Sequence, residues 1–232
     1  MLLRFVRRYP VALGYLALLW VVTVITQYGL SSDQQVAFVE WSSTNLTNLP
    51  HNPIGTMIVS AFISDDTVLL WLVVGSAALF PLTRRFGNLR TLVLVGGAHT
   101  IGTLVSQGIL AWRIYQGALP NWAGAMTEPD VGPSYVIAAG LTAVIVFGPS
   151  LLSRIFALVC WLALAPDLFE NLFGLDVPPV GHAVSMLSAI AIGGLYVLHD
   201  RRRARVPGKA LLSGPETQPP VAPPSRPGGR GA

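Results

Sequence analysis

The chain of 232 residues is 52% hydrophobic and only 11% charged, with a formal net charge of +4. A soluble protein carries about 25% charged residues, so this composition excludes a water-soluble globule and indicates an integral membrane protein. Six apolar segments follow one another, and about 20 helical residues span a hydrocarbon core. We therefore predict an all-α polytopic protein with six transmembrane helices, at residues 11–28, 68–80, 91–111, 132–147, 151–169 and 180–198.

The basic residues predict the orientation of these helices. With the N-terminus inside, Arg113 alone falls outside, and the inside set is Arg4, Arg7, Arg8, Arg84, Arg85, Arg90, Arg154, the cluster at 201–205 and Lys209. Cytoplasmic connections carry an excess of lysine and arginine, so we expect a protein of the cell membrane with both termini in the cytoplasm. We expect a cytoplasmic N-terminus at residues 1–10, a transmembrane domain at 11–200 and a disordered basic Pro/Gly-rich cytoplasmic tail at 201–232.

The connections and breakers set the predicted ends of the helices. Residues 30–54 read as a polar outer loop, and residues 112–130 read as a second one with an interfacial aromatic cluster. Pro81 is expected to end the second helix, because proline lacks a backbone donor. The third helix is rich in glycine, which predicts close approach of its backbone to neighbouring helices.

Ser134 and His182 are the candidate catalytic residues, each near the outer start of a predicted helix. A neutral imidazole at hydrogen-bond distance can take the proton of a serine hydroxyl. Free amide groups in the first turn of a helix can help to hold an oxyanion. Structural roles remain open: Ser134 as a helix N-cap, His182 bonded to a neighbouring carbonyl, and Asp130 as either an orienting group for His182 or a helix N-terminal acid.

Three further polar residues allow a different function. His99 lies within the third helix and is either a packing histidine or a member of a proton relay. Asp167 and Glu170 share a helix face with Asn171. These residues form either a solvated helix terminus or the cation site of a small transporter. We expect no metal or other cofactor. No nucleic-acid partner is expected either, because the sequence contains no module that reads bases.

Short motifs in a matching order resemble the rhomboid superfamily of intramembrane proteins. They are Ser60-Ala61-Phe62, Phe86-Gly87-Asn88-Leu89-Arg90, Gly132-Pro133-Ser134, and Gly181-His182 followed by the small residues Ala183, Ser185 and Ser188. The first resembles the family's S-x-F segment, the second its glycine-centred turn, the third its G-x-S nucleophile motif and the fourth its helix-six histidine. Residues 41–46 and 130–135 are similar to those of divergent rhomboid-like proteins of actinobacteria, so the resemblance implies a bacterial source.

The resemblance implies a serine–histidine dyad, Ser134 with His182, that opens to the outer face and cleaves transmembrane substrates. Active rhomboids also carry a histidine and an asparagine on helix two that bind the oxyanion, and those positions are Leu69 and Val73 here. The family's glycine after the nucleophile is Tyr135, which is expected to crowd the packing of helices four and six. The possible functions are thus an intramembrane serine protease, a pseudoprotease that binds or escorts transmembrane proteins, and a small transporter. The expected partners are transmembrane proteins and the lipid bilayer, with the oligomeric state left open.

Overall fold

The computed structural model describes residues 2–64 and 68–205, which are mostly helical with no β-strand among them. The chain divides into two compact units, Met1–Val197 and Leu198–Ala232. Of the second unit the structure describes residues 198–205, which end the last helix. The rest of the predicted disordered tail, from residue 206 onward, lies outside the described residues.

The described residues form ten α-helices. These are α1 (Leu2–Arg8), α2 (Pro10–Val24), α3 (Ser32–Ser42), α4 (Pro53–Val59), α5 (Val68–Phe86), α6 (Asn88–Tyr115), α7 (Trp122–Thr127), α8 (Ser134–Phe147), α9 (Leu151–Leu168) and α10 (Val177–Arg205). A π-helical turn, Ile25–Gly29, follows α2, and a 3₁₀ turn, Ser60–Phe62, follows α4.

Five helices are long and apolar enough to cross a membrane: α2 with its π-helical turn, α5, α6, α9 and α10. The one predicted span that is not among these five is the fourth, α8. It has 14 residues and is about 21 Å long at 1.5 Å per residue, shorter than the hydrocarbon core of about 30 Å. This short helix packs against α5, α6 and α9 and buries most of its side chains. The protein is therefore a polytopic helical membrane protein with a short helix at the centre of its bundle.

Two proline positions changed the helix ends expected from the sequence. The prediction that Pro81 ends α5 is wrong, because the helix continues to Phe86. Proline removes a single backbone donor, and Leu79, Leu82 and Phe86 stay buried in the core, so packing holds the last turns in place. At α10 the helix begins at Val177, three residues earlier than expected, because prolines are tolerated in a first turn where no amide partner is needed.

The predicted outer loop at residues 30–54 contains the short helices α3 and α4. Ser31 and Gln34 form a capping box at the start of α3. Asn52 caps α4, and Pro53 occupies its first turn. The second predicted loop, residues 112–130, likewise contains α7.

The connections that carry most of the basic residues lie at one end of the bundle. The Asn88 side chain, after the turn between α5 and α6, donates to the Arg8 carbonyl at 3.1 Å. At the same end the Phe86 ring packs on Phe147 at 5.9 Å and on Tyr196 at 5.6 Å between ring centroids. Because Phe147 ends α8 and Tyr196 lies far along α10, the starts of both helices are at the opposite end.

Candidate functional site: a serine–histidine pair

The structure brings Ser134 and His182 together at the starts of α8 and α10. Ser134 Oγ lies 2.9 Å from His182 Nε2. The other ring nitrogen, Nδ1, lies 2.8 Å from the carbonyl oxygen of Leu168 in the last turn of α9. Three helices therefore contribute to one hydrogen-bonded chain that runs from a hydroxyl through an imidazole to a backbone carbonyl.

The carbonyl of Leu168 decides which nitrogen of His182 carries the proton. A carbonyl oxygen can only accept a hydrogen bond, so Nδ1 must be the donor. In a neutral imidazole Nε2 is then the acceptor, and the Ser134 hydroxyl donates to it. This is the tautomer that a general base needs in order to take the serine proton. Each role open to His182 in the sequence thus uses one nitrogen: Nδ1 binds a neighbouring helix and Nε2 faces the serine.

The Gly132-Pro133 pair sets the position of Ser134. Gly132 has a φ of +141°, a conformation that favours glycine, and its amide donates to the carbonyl of Ser60 at 2.8 Å. Pro133 occupies the N-cap position, and Ser134 is the first helical residue. The Ser134 side chain forms a hydrogen bond with His182, so Ser134 is not the N-cap residue of α8.

Tyr135 packs beside the pair without the crowding expected from the sequence. Its ring meets the His182 ring edge to face, with centroids 4.9 Å apart and an interplanar angle of 88°. The reason is Gly181: a Cβ added there would lie 2.6 Å from Tyr135 Cε2 and nearer still to Cζ and Oη. The tyrosine ring therefore occupies the space that a side chain at position 181 would need.

Close approach of α6 to α10 depends on one of its glycines. A Cβ added at Gly102 would lie 2.8 Å from the carbonyl oxygen of Gly181 and 3.1 Å from Ser185 Cβ. At Gly96 and Gly108 an added Cβ would meet no described atom within 4 Å. The sequence-based prediction of a close approach therefore applies at Gly102, where it brings α10 and its histidine against α6.

Asp130 is a buried carboxylate that ties the outer segments to α8. Its side chain accepts hydrogen bonds from Thr44 Oγ1 at 3.0 Å, Gln107 Nε2 at 3.3 Å and Tyr135 Oη at 3.3 Å. Burial raises the pKa of the Asp130 carboxyl above its ordinary value of 3.8, although these hydrogen bonds oppose the shift. Asp130 neither orients His182, which is held by the Leu168 carbonyl, nor lies in the first turn of α8. It holds the tyrosine that packs on the histidine.

Leu69 and Val73 face a groove between α5 and α9. Their side chains are 64% and 47% exposed, and they line a cavity of about 580 Å³ together with Leu70, Trp71 and Leu168. These apolar side chains cannot donate a hydrogen bond to an oxyanion. Any side-chain donor near Ser134 must therefore come from a position other than 69 or 73.

The remaining candidate residues lie in two separate places. His99 Nε2 donates to the Met57 carbonyl at 3.0 Å, and the residue borders a small cavity beside Ser134. Asp167 and Glu170 border a different cleft of about 610 Å³. Over residues 2–64 and 68–205 no group of three or more His, Cys, Asp or Glu side chains could hold a metal ion. The structure does not bring the three candidate transporter residues to one cavity.

Comparison with known proteins agrees with the helical bundle. The family model described as rhomboid-like protein matches residues 4–201. No curated protein and no solved structure matches the chain. Since the family match covers most of the chain, this helical membrane protein belongs to the rhomboid-like protein family.

Proposed function

We propose that this protein is an intramembrane serine endopeptidase, with Ser134 as the nucleophile and His182 as the general base. The observation that carries the proposal is the 2.9 Å hydrogen bond between Ser134 Oγ and His182 Nε2. The Leu168 carbonyl supports it by fixing the tautomer of the imidazole. A nucleophile within reach of a base that a third group orients is the arrangement that serine hydrolases use.

The pair can perform acyl transfer in two stages. His182 Nε2 takes the hydroxyl proton as Ser134 Oγ attacks the substrate carbonyl carbon, and the Leu168 carbonyl stabilises the imidazolium that forms. Nε2 then gives the proton to the leaving amine, and a water molecule hydrolyses the acyl-enzyme by the same route. The first turn of α8 supplies amide N–H groups without intrahelical partners close to the nucleophile.

The groove between α5 and α9 is an argument for a transmembrane substrate. Its walls are mainly apolar, with Leu69, Leu70 and Val73 exposed and Asp167 also on the wall, so a helix that enters from the bilayer can pack against them. The groove also includes Leu168, whose carbonyl binds His182. Leu168 thus borders the groove and contacts the dyad, which favours transmembrane proteins as substrates and the bilayer as the route of access.

A pseudoprotease is the second candidate function, and two observations favour it. Leu69 and Val73 provide no donor for an oxyanion, and the cavity that Ser134 borders beside Ser60 and His99 has a volume of about 10 Å³, too small for a peptide segment. In this alternative the same groove binds client transmembrane proteins and no bond is cut.

We further propose that the protein lies in the plasma membrane of a bacterial cell, as the resemblance implies, and the charge distribution supports one orientation there. The connections at the end of the bundle opposite the dyad carry Arg8, Arg84, Arg85 and Arg90. Because basic connections stay in the cytoplasm, the dyad would open to the outer face. Substrates cleaved there would release fragments outside the cell.

Labelling with a fluorophosphonate probe in native membranes tests the proposed activity. We expect the probe to label the wild type and not Ser134→Ala, and we expect His182→Ala to slow labelling by a factor on the order of 10³ or more, because the pair acts as a unit. Ser76→Ala, which removes a serine of α5 that does not border the Ser134 cavity, is the matched control and should label normally.

The result that contradicts the protease proposal is an unlabelled wild type that is folded, as judged by its melting temperature in detergent. Binding of a model transmembrane peptide by that unlabelled protein would support the pseudoprotease instead.

A further inference from the structure

A small cavity lies directly beside the nucleophile. It has a volume of about 10 Å³ and is bordered by Ser134, Ser60, His99 and Asp130 among others. This is close to the space that one water molecule needs, and a carbonyl oxygen is of similar size. The cavity can therefore admit a single oxygen atom next to Ser134 Oγ.

Ser60 is fixed at the wall of this cavity by its backbone. Its carbonyl oxygen accepts the amide proton of Gly132 at 2.8 Å, two residues before the nucleophile. The residue is 1% exposed, yet its hydroxyl has no hydrogen-bond partner among the described residues. A buried polar atom without a partner destabilises a fold and calls for an explanation.

The other polar side chains at the cavity are already committed. His99 donates from Nε2 to the Met57 carbonyl, so its Nδ1 has a lone pair and no proton. The Thr44 hydroxyl donates to Asp130, and Tyr135 Oη lies within reach of the Asp130 carboxylate. Within the described wall of the cavity, the hydroxyl of Ser60 is thus the side-chain donor that remains free.

Asp130 does not prevent an anion from forming in this cavity. Three donors, on Thr44, Gln107 and Tyr135, already compensate its carboxylate. These hydrogen bonds reduce the repulsion between the carboxylate and a developing oxyanion.

We propose that the Ser60 hydroxyl is a catalytic donor that stabilises the oxyanion formed on the substrate, in place of the absent donors at Leu69 and Val73. The proposal rests on the proposed protease function and names a further residue of that site. As Ser134 Oγ forms its bond to the carbonyl carbon, its proton moves to His182 Nε2 and the π pair of the carbonyl moves onto oxygen. That oxygen enters the cavity and accepts a hydrogen bond from Ser60.

The tetrahedral species then collapses. The electron pair returns from the oxyanion to re-form the carbonyl, the C–N bond breaks, and the leaving nitrogen takes the proton from His182 Nε2. The acyl group remains on Ser134 Oγ, and Ser60 ends the step with its hydroxyl unchanged.

The rate of fluorophosphonate labelling at Ser134 tests this role, because the phosphonyl oxygen gains negative charge during the reaction. We expect Ser60→Ala to lower the second-order rate constant by about 10²-fold, the lower end of the effect of removing one oxyanion donor. The matched control is Thr83→Val, which removes another buried hydroxyl that has no partner in the described part of the chain and does not border the cavity. Its labelling rate should stay near that of the wild type.

Two further outcomes separate the possible failures. A labelled wild type with Ser60→Ala within twofold of its rate would overturn the role of Ser60 alone. A folded wild type that does not label would overturn the protease function, and with it this proposal. If Ser60→Ala does not fold, Ser60→Cys replaces the hydroxyl with a larger thiol that is only a weak S–H donor, and its labelling rate should fall as well. A labelling rate of Ser60→Cys within twofold of the wild type would also refute the proposal.

Discussion

Gly181→Ala is expected to disturb the dyad through Tyr135. The added Cβ would lie 2.6 Å from Tyr135 Cε2, about 0.8 Å inside the 3.4 Å at which ordinary contact begins. The tyrosine cannot move freely, because its hydroxyl lies 3.3 Å from Asp130 Oδ1 and 3.2 Å from the Val177 carbonyl. Its ring also rests against His182. Either the tyrosine or the start of α10 must shift, and each of them positions the imidazole.

The size of both effects follows from this overlap. Inserting a methyl group into a packed core costs about 1–3 kcal/mol in the free energy of unfolding. A misplacement of about 1 Å in a catalytic group can cost roughly 10²-fold in rate. We therefore expect Gly181→Ala to lower the rate constant of fluorophosphonate labelling at Ser134 by about 10²-fold and to lower the melting temperature in detergent. Gly96→Ala, where an added Cβ meets nothing described within 4 Å, is the matched control and should change neither.

A double-mutant cycle decides whether the tyrosine is the cause. Tyr135→Ala alone leaves a cavity and should cost about 3–5 kcal/mol, as for other buried aromatic residues. In that background Gly181→Ala has room for its methyl group, so its own effect on stability should fall to within about 0.5 kcal/mol. The reasoning is refuted if Gly181→Ala destabilises the protein as much without the tyrosine as with it.

Two more predictions follow from the groove and from Asp130. Because burial raises the pKa of Asp130 above 3.8, the folded state binds its proton more tightly than the unfolded chain. Stability should therefore fall as pH rises from about 4 through the folded pKa. The melting temperature of Asp130→Asn should not fall in this way across the same pH range. If it falls with pH as steeply as that of the wild type, Asp130 is not the cause. Leu70→Trp should narrow the α5–α9 groove and slow cleavage of a model transmembrane peptide roughly tenfold, or about 1.4 kcal/mol, more than it slows probe labelling. Equal losses would exclude the groove as the docking site.

The sequence predicted those features that depend on local pattern and charge. The apolar segments located the five helices long enough to span a membrane and the shorter α8, and the starts of α8 and α10 placed Ser134 and His182 at one end of the bundle. The helices α3 and α4 were not predicted, because the polar composition of the segment indicated a loop. Their starts nevertheless carry local signals: Ser31 and Gln34 form a capping-box pattern, and Asn52-Pro53 is a typical helix start.

The features that escaped prediction depend on contacts between distant parts of the chain. Asp130 is bound by Thr44, 86 residues away, and by Gln107, 23 residues away, and no local pattern joins these positions. Tyr135 was expected to crowd the bundle because its side chain is large. Whether it fits depends on its register against Gly181, which only the packed helices reveal.

The absence of donors at Leu69 and Val73 does not by itself make the protein inactive. Losing one oxyanion donor typically costs about 10²–10³ in rate, so losing two independent donors would cost about 10⁴–10⁶, close to the loss of up to about 10⁶ when a member of the nucleophile–base pair is removed. With Ser60 in place of one of the two donors the loss falls to about 10²–10³, and a chain that retains Ser134 bonded to His182 is then slow rather than inert. A slow serine still reacts once with a fluorophosphonate, even where its turnover of a peptide is too slow to follow in a short assay. Single-turnover labelling is consequently the measurement that distinguishes a weak protease from a pseudoprotease, and a failed cleavage assay is not.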